Sequence, residues 1–268
     1  MTGPIYEPSG RAREYADLAL NLFEGCPHRC AYCYGPQILH CDRETFHTNV
    51  GPRKNILSNL AYQLDLEEQN FIGKRVLLCF TCDPCADGNN VTIRQAIQLL
   101  HDHDVGVTIL TKAGQRSFWT FDFLGELDTY AASLTLLNAT DSALWEPKAA
   151  PPLERINGLY TAHAKGIETW ASFEPVIHPD VTLALLDLVL PYIDGAKVGP
   201  LNYASRLPAH LRTKLQGNVN WADFAEEFED RCHIAGVECL LKQDLIKLAH
   251  GVSAQRQLGG AHSGGGEG

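Results

Sequence analysis

An alternation of short apolar runs with longer segments of helical periodicity constrains the fold of this chain more than any other feature. The apolar runs predict strands at residues 18–23, 75–80, 105–110, 130–137, 168–173 and 195–198. Between them, apolar residues recur every three to four positions, and this predicts amphipathic helices at 54–68, 91–103, 152–165 and 180–190. Strands that alternate with helices in this way indicate a parallel sheet covered by helices.

Such a sheet either curls into a partial barrel or lies open as a doubly wound sheet, and a length of 268 residues fits both. In both architectures the loops that follow the strands meet at the carboxyl ends of the strands. We therefore expect the functional residues at that end of the sheet.

The domain organisation follows the same pattern. We expect an N-terminal arm at 1–14, a core at 15–203, and an extension of the same domain at 204–258. The extension reads as a helix at 221–234, a short strand at 238–241 and a further helical turn or two. The glycine-rich segment at 259–268 predicts a flexible tail, because it has nothing to bury.

Composition and charge exclude several classes of protein. A hydrophobic fraction of 45% with 20% charged residues is typical of a globular chain, not a disordered one. The net charge of −10 disfavours a general nucleic-acid binder, because contact with phosphates needs a basic face. No run approaches the roughly 20 apolar residues of a membrane span, and the N-terminus lacks a signal-peptide pattern. These features predict a cytoplasmic protein without a membrane partner.

Three cysteines directly follow the first predicted strand, at Cys26, Cys30 and Cys33, with the spacing C-x3-C-x2-C. Thiolates grouped on one loop select zinc or an iron–sulfur cluster. A cubane held by three cysteines leaves one iron without a protein ligand, and that iron is open to a cofactor or substrate.

Two alternatives stay open on spacing alone. A structural zinc site needs a fourth ligand, and the neighbouring candidates are His28, His40 and Cys41. The three cysteines are otherwise simply buried core residues. In the reducing compartment expected here, nine cysteines argue more for metal ligands or reactive thiols than for disulfides.

The triplet also resembles a known signature. With Tyr32 before the last cysteine, C-x3-C-x-aromatic-C is similar to the motif of the radical SAM enzymes, and the segment 21–34 resembles the spore photoproduct lyase-like branch. Further short stretches resemble that branch in the same order: Thr81-Cys82-Asp83-Pro84, Thr92-Ile93-Arg94, Leu110-Thr111-Lys112, Glu146-Pro147 with Arg155, and Glu174-Pro175. The similarity spans roughly residues 15–203.

The resemblance implies a partial (βα)6 TIM-type barrel of the radical SAM kind. It implies that Cys26, Cys30 and Cys33 hold a [4Fe-4S] cluster whose fourth iron chelates S-adenosylmethionine (SAM). One electron, from a reductant such as flavodoxin or ferredoxin, then cleaves SAM to a 5′-deoxyadenosyl radical that abstracts hydrogen from a substrate. The substrate is unidentified. A nucleic-acid lesion, as in spore photoproduct lyase, is one hypothesis, and the negative charge of the chain argues against it.

Polar residues near the predicted strand ends are the candidates for binding SAM. Thr81 and Asp83 close the second strand, where the superfamily holds the amino group. Ser133 and Thr135 alternate along the fourth strand and so share one face. The whole candidate set is Tyr32, Thr81, Asp83, Ser133, Thr135, Glu174 and Lys197, with Lys197 near the position expected for adenine. The other interpretation is that each is a satisfied polar group closing the end of a barrel.

A second triplet, Cys79, Cys82 and Cys85, has the spacing C-x2-C-x2-C. It suggests an auxiliary cluster, but positions 79 and 82 of an extended strand point to opposite faces. Repair lyases of the branch carry a hydrogen-donating cysteine near this point, and Cys82 is the candidate donor here. The alternative is that Cys79 and Cys82 fill the core.

A rival function belongs to another class. A non-catalytic zinc or iron–sulfur protein, acting as an interaction module or an electron carrier, would use the same three cysteines. A fourth protein ligand would favour this rival, because it closes the metal site.

Overall fold

Ten strands form in the described part of the chain, which is residues 3–86 and 91–259 of a computed structural model. In chain order they are β1 (Ile5–Tyr6), β2 (Leu18–Leu20), β3 (Phe23–Glu24), β4 (Gly51–Pro52), β5 (Arg75–Leu78), β6 (Gly106–Thr111), β7 (Thr129–Ser133), β8 (Glu168–Val176), β9 (Gly195–Pro200) and β10 (Glu238–Leu241). The predicted tail lies outside the described residues, apart from Gly259.

The α-helices fill the intervals between the strands. They are α1 (Gly35–Ile38), α2 (Arg43–Thr48), α3 (Ile56–Glu67), α4 (Val91–His101), α5 (Ala139–Trp145), α6 (Pro152–Ala164), α7 (Pro179–Val189), α8 (Ala209–Arg212), α9 (Trp221–Ala235) and α10 (Gln243–Gly259). No helix among the described residues is both long enough and apolar enough to cross a bilayer.

Eight strands pair in one sheet in the order β1-β2-β5-β6-β7-β8-β9-β10, while β3 and β4 form a separate hairpin-like pair. All neighbours in the large sheet are parallel except β1 and β2. Within the described residues the two edge strands, β1 and β10, do not pair with each other, so the barrel is open. The prediction of a parallel sheet curled into a partial barrel is confirmed, with β1 and β10 added at its edges.

The two faces of the sheet have different neighbours. On the outer face, Val76, Val107 and Ile109 pack with apolar residues of α3, α4 and α6 in the main core. On the inner face, Ala131 and Trp170 pack with Tyr15 in a smaller cluster that contains no helix residue. Because side chains of a strand alternate between faces, a continuous apolar run serves both cores.

The carboxyl ends of the strands lie beside the loop that carries the first cysteine triplet. This loop, residues 25–34, connects β3 to α1. Contacts join it to the segments that follow β5, β6 and β7, as described below. The expectation that functional groups gather at this end therefore matches the position of the loop.

Candidate functional site

The cysteine loop starts at a glycine that no other residue replaces easily. Gly25 has a φ of 72°. A Cβ built there would lie 2.8 Å from the carbonyl oxygen of Asn49 and would also clash with that of Phe46. The Cys26 amide donates to the same Phe46 carbonyl at 3.2 Å. Close backbone packing against α2 thus fixes where the loop begins.

The three thiols of Cys26, Cys30 and Cys33 are electrostatic neighbours. Burial raises the pKa of each of them. Cys33 further raises the pKa of both Cys26 and Cys30, while the ammonium group of Lys112 lowers that of Cys30 and Cys33. Arg43 lowers the pKa of Cys33 as well, so the thiols share one buried environment with two nearby cations.

The metal-binding geometry itself is not formed. Among the described residues, no group of three or more His, Cys, Asp or Glu side chains is arranged to hold a metal ion. Metal binding deprotonates its thiol ligands and organises them around itself. The donor chemistry of the loop, three soft sulfurs within eight residues, fits an iron–sulfur cluster or zinc.

His28, inside the loop, is already occupied by protein partners. Its Nε2 lies 2.8 Å from Oδ2 of Asp83, and its Nδ1 lies 3.1 Å from the carbonyl oxygen of Lys148. The side chain is 2% exposed. With both ring nitrogens engaged, His28 is not placed as a fourth metal ligand.

Asp83 holds the loop against two strand ends. Besides His28, it accepts hydrogen bonds from the Thr111 hydroxyl at 2.7 Å and from the amides of Lys112 at 2.6 Å and Cys85 at 2.9 Å. Burial alone would raise the pKa of Asp83, but His28 and these donors hold it well below its usual range. Each of the two carboxylate oxygens of Asp83 has two partners within the protein. Asp83 therefore joins the cysteine loop to the segments that follow β5 and β6.

A second buried carboxylate, Glu146, anchors the other side of the loop. It pairs with Arg155 at 2.6 Å, accepts from Thr135 Oγ1 at 2.8 Å, and accepts a hydrogen bond from the Tyr32 hydroxyl. Burial opposes ionisation, but the Arg155 guanidinium outweighs it and lowers the pKa of Glu146 to about 2. The predicted residues Tyr32 and Thr135 are thus brought together on one carboxylate.

Two buried polar atoms near the loop have no partner among the described residues. They are the hydroxyl of Thr81 and Nε2 of His47. The other His47 nitrogen lies 2.7 Å from the Cys26 carbonyl oxygen. Buried polar atoms are normally hydrogen-bonded, so an unmet hydroxyl at the end of β5 favours a ligand there.

Ser133 and Glu174 lie on neighbouring strands of the inner face. Ser133 is buried, and its carbonyl oxygen accepts from Arg155 at 3.1 Å. Glu174 pairs with Lys242 at 3.1 Å. A Cβ at Gly199 would lie 3.0 Å from the Lys242 side chain and 3.3 Å from that of Glu174, so the glycine makes room for this ion pair.

Lys242 is a buried residue beside Glu174 that the sequence pattern did not indicate. Its ammonium group also donates to the carbonyl oxygen of Arg11 at 3.2 Å and lies 4.5 Å from the ring centre of Tyr15. It therefore joins the N-terminal arm to the far edge of the sheet. The available signal was its position directly after the predicted strand at 238–241.

Lys197 contacts Tyr15 and Trp170, away from the cysteine loop. Its ammonium group donates to the Tyr15 carbonyl oxygen at 2.7 Å and lies 4.5 Å from the ring centre of Trp170. Lys197 and Trp170 line a cavity at the beginning of the strands, at the opposite end of the sheet from the cysteine loop. The expectation that Lys197 contacts adenine stays a prediction.

The second cysteine triplet lies beyond β5, not within it. The strand ends at Leu78, so the alternation of faces expected for positions 79 and 82 does not apply. The Cys82 and Cys79 thiols share a hydrogen bond, and burial raises the pKa of Cys82. Cys85 is also buried, close to Asp83. Cys82 is near enough to Cys26 to raise its pKa as well.

Comparison with known proteins gives matches among solved structures only. No protein-family model and no curated protein sequence matches the chain. A spore photoproduct lyase mutant with bound AdoMet and dinucleoside spore photoproduct matches with a TM-score of 0.65 and 13% identity, over 85% of this chain and 76% of that one. Spore photoproduct lyase complexed with the dinucleoside photoproduct gives 0.65 and 13%, over 88% and 78%.

A third structure is Streptococcus suis SuiB bound to S-adenosylmethionine. Its TM-score is 0.58 at 15% identity, over 84% of this chain and 50% of that one. The chain thus spans about half the length of SuiB. At such identities the matches establish the fold.

Proposed function

We propose, from the radical SAM fold that this chain has, that the protein is a radical SAM enzyme. Cys26, Cys30 and Cys33 would hold a [4Fe-4S] cluster. When bound, such a cluster would supply one electron that splits SAM into methionine and a 5′-deoxyadenosyl radical, and this radical would abstract a hydrogen atom from a substrate to give 5′-deoxyadenosine. The observation that carries this proposal is the position of the C-x3-C-x2-C loop at the carboxyl ends of a sheet of this fold.

The chain's own residues would act mainly by position. Asp83 and Glu146 bind both sides of the cysteine loop and keep it against the strand ends. The unpartnered hydroxyl of Thr81 would accept a hydrogen bond from the amino group of SAM. Ser133 and Glu174 offer further oxygen acceptors on the inner face, and Tyr32 and Thr135 support the loop through Glu146.

Cys82 is proposed as the thiol that donates a hydrogen atom to a product radical. Burial keeps its thiol protonated by raising its pKa. In such a step the S–H bond of Cys82 breaks, one hydrogen atom passes to a product radical, and a thiyl radical remains on sulfur. Cys79, hydrogen-bonded to Cys82, is the neighbouring thiol that would hold that sulfur in place.

Anaerobic reconstitution with iron and sulfide tests the proposal. We expect a reducible [4Fe-4S] spectrum and release of 5′-deoxyadenosine from SAM when a reductant such as dithionite, flavodoxin or ferredoxin supplies the electron. Cys26→Ala, Cys30→Ala and Cys33→Ala should each lose both signals. Cys239→Ala, far along the chain in β10, is the matched control and should keep both. A chain that binds no iron, or binds it and releases no 5′-deoxyadenosine, contradicts the proposal.

The rival function, a non-catalytic metal protein, rests on one observation. Cys41 is close enough to Cys33 to raise its pKa, which makes it a candidate fourth ligand. A closed site of this kind would bind about one zinc ion per chain without sulfide, and Cys41→Ala would release it. Under the enzyme hypothesis, Cys41→Ala keeps the cluster.

The substrate class is a separate part of the proposal. Among the proteins of similar fold, spore photoproduct lyase has been seen complexed with dinucleoside spore photoproduct, and SuiB has been seen bound to its precursor peptide SuiA. A nucleic-acid lesion as substrate predicts that photoproduct-containing DNA shifts in a gel at low salt and is released as salt increases. With a net charge of −10, we expect no shift, and a shift would restore the lesion hypothesis.

A further inference from the structure

A cavity of about 720 Å³ lies at the end of the sheet opposite the cysteine loop. Its walls include the first residues of several parallel strands, among them Leu18, Arg75 and Glu168. The volume is in the range of small-molecule sites. On its inner side the ring of Tyr15 lies 5.7 Å from that of Trp170 and 6.2 Å from that of Phe80. These rings form an aromatic layer between the cavity and the other end of the sheet.

Most charged groups in the cavity wall are matched by the protein itself. Arg75 pairs with Glu168 at 2.6 Å, and Arg13 pairs with Glu7 at 3.0 Å. Asp194 accepts from the Thr169 amide at 2.7 Å. These groups need no ligand.

Two lysines of the wall, Lys74 and Lys197, make no ion pair among the described residues, and Lys197 is the one that is partly buried. One of the three hydrogens of its ammonium group goes to the Tyr15 carbonyl oxygen. Burial lowers the pKa of Lys197, and the ammonium group of Lys242 lowers it further, while the carboxylates of Glu238 and Asp17 act in the opposite direction. The ammonium group also lies 4.5 Å from the ring centre of Trp170 and 5.4 Å from that of Tyr15, and its one hydrogen bond to the protein leaves donor capacity for a ligand on the side away from these rings.

The hydroxyl of Thr129 is a second polar group of the cavity wall, and it lacks a hydrogen-bond partner among the described residues. Thr129 is 1% exposed. Its neighbour Tyr130 points to the opposite face, where it contacts Ser117 at 2.8 Å. The Thr129 side chain thus belongs to the inner face, and leaving its hydroxyl unpaired costs free energy.

The sheet register sets how far apart these two groups lie. Thr129 pairs with Glu168 of β8, and Lys197 pairs with Ser172, four residues further along the same strand. Four residues correspond to about 13 Å along a strand, and the step from β7 across β8 to β9 adds about 10 Å across the sheet. The long Lys197 side chain spans part of this distance. A bare ion therefore does not reach both groups, but a small molecule with two polar ends does.

We propose that this cavity binds a compact organic anion, with its carboxylate or phosphate on Lys197 and a second hydrogen-bonding group on Thr129. The cavity lies at the opposite end of the sheet from the cysteine loop, and the proposal does not depend on binding of the cofactor. Tyr15 links the cavity to the inner face of the sheet, because its carbonyl oxygen meets Lys197 while its hydroxyl lies 2.7 Å from Ser172 on that face.

Titration calorimetry with three related probes tests the proposal on the unmodified protein. 4-Hydroxyphenylacetate carries both groups, phenylacetate lacks the hydroxyl, and 4-hydroxyphenylethanol lacks the carboxylate. We expect the first to bind, the loss of the carboxylate to weaken binding about tenfold or more, and the loss of the hydroxyl to weaken it about fivefold. Failure of all three to bind at about 10 mM overturns the proposal.

Variants assign the contacts. Lys197→Met should remove the preference for the carboxylate, and Thr129→Val should remove the preference for the hydroxyl. Lys74→Met, at an exposed lysine of the same wall, is the matched control and should change each affinity by less than about twofold. Equal affinities of Lys197→Met and the unmodified protein overturn the proposal, as does displacement of the probe by SAM. Thermal unfolding of each variant checks that it is folded.

Discussion

The two ends of the sheet treat their charges differently. At the carboxyl ends, Asp83 and Glu146 are buried carboxylates with several protein partners each. At the beginning of the strands, the Arg75–Glu168 ion pair is 38% and 45% exposed. Buried charges without partners are costly, whereas exposed pairs are screened by water. The first end is therefore built to hold a loop in one position, and the second tolerates change.

Removing the cation from the buried pair should have the largest effect. Arg155→Met leaves Glu146 buried without its counter-charge, and we expect a loss of about 3–5 kcal/mol in the free energy of unfolding. Urea denaturation measures it. The double variant Arg155→Met with Glu146→Gln should recover part of the loss, because no uncompensated charge remains. A loss below about 1 kcal/mol would mean that the pair does not hold the site.

The second largest effect is expected from acid, which should lower the free energy of unfolding through the two buried carboxylates at the carboxyl ends of the strands. The pKa of Glu146 is lowered to about 2 in the folded protein, and that of Asp83 is also lowered. A carboxyl group with a depressed pKa stabilises the fold fully above its unfolded pKa, and this contribution is lost as pH falls through the folded pKa. We expect stability to fall between about pH 5 and pH 2.

Asp83→Asn provides the control for this pH dependence. It removes one of the two titrating groups while keeping a similar shape, so the fall in stability between the same pH values should become smaller. Urea midpoints measured across that range compare the two proteins. Identical slopes would assign the acid sensitivity to other groups.

The sequence predicts those features of the fold and the site that depend on neighbouring residues. Strands β5, β6 and β9 begin or end within two residues of the predicted runs, because apolar runs between helices are a local signal. The run at 18–23 divides into β2 and β3, and β1, with two residues, left no pattern. The spacing of Cys26, Cys30 and Cys33 is likewise local.

Contacts between distant residues left no local signal. Glu174 and Lys242 meet although they are 68 positions apart, and Lys242 reaches Arg11 across 231 positions. The orphaned hydroxyls of Thr81 and Thr129 are visible only once every neighbour is placed. Residue type indicated that Thr81 was polar at a strand end, but only the packing shows that its hydroxyl is unmet.

Lys242 should have an intermediate effect, since it is buried while its partner Glu174 is 21% exposed. Lys242→Met keeps the aliphatic contact but leaves Glu174 without its cation and the Arg11 carbonyl without its donor. We expect a loss of about 1.5–3 kcal/mol in the free energy of unfolding. Amide hydrogen exchange should also become faster in residues 10–17, because the N-terminal arm loses a contact. Lys165→Met, at an exposed lysine directly after α6 that pairs with Asp122, is the control and should leave that exchange unchanged.

The smallest effect is expected at the other end of the sheet. Glu168→Gln removes the exposed partner of Arg75, which keeps its hydrogen bond to the Leu127 carbonyl oxygen at 2.7 Å. We expect a loss of less than about 1 kcal/mol, and one that shrinks further as salt is raised. Urea denaturation at low and high salt measures it beside Arg155→Met, whose loss should hardly depend on salt because the pair is buried. If Glu168→Gln were as costly as Arg155→Met, the two ends of the sheet would not differ in how they hold charge.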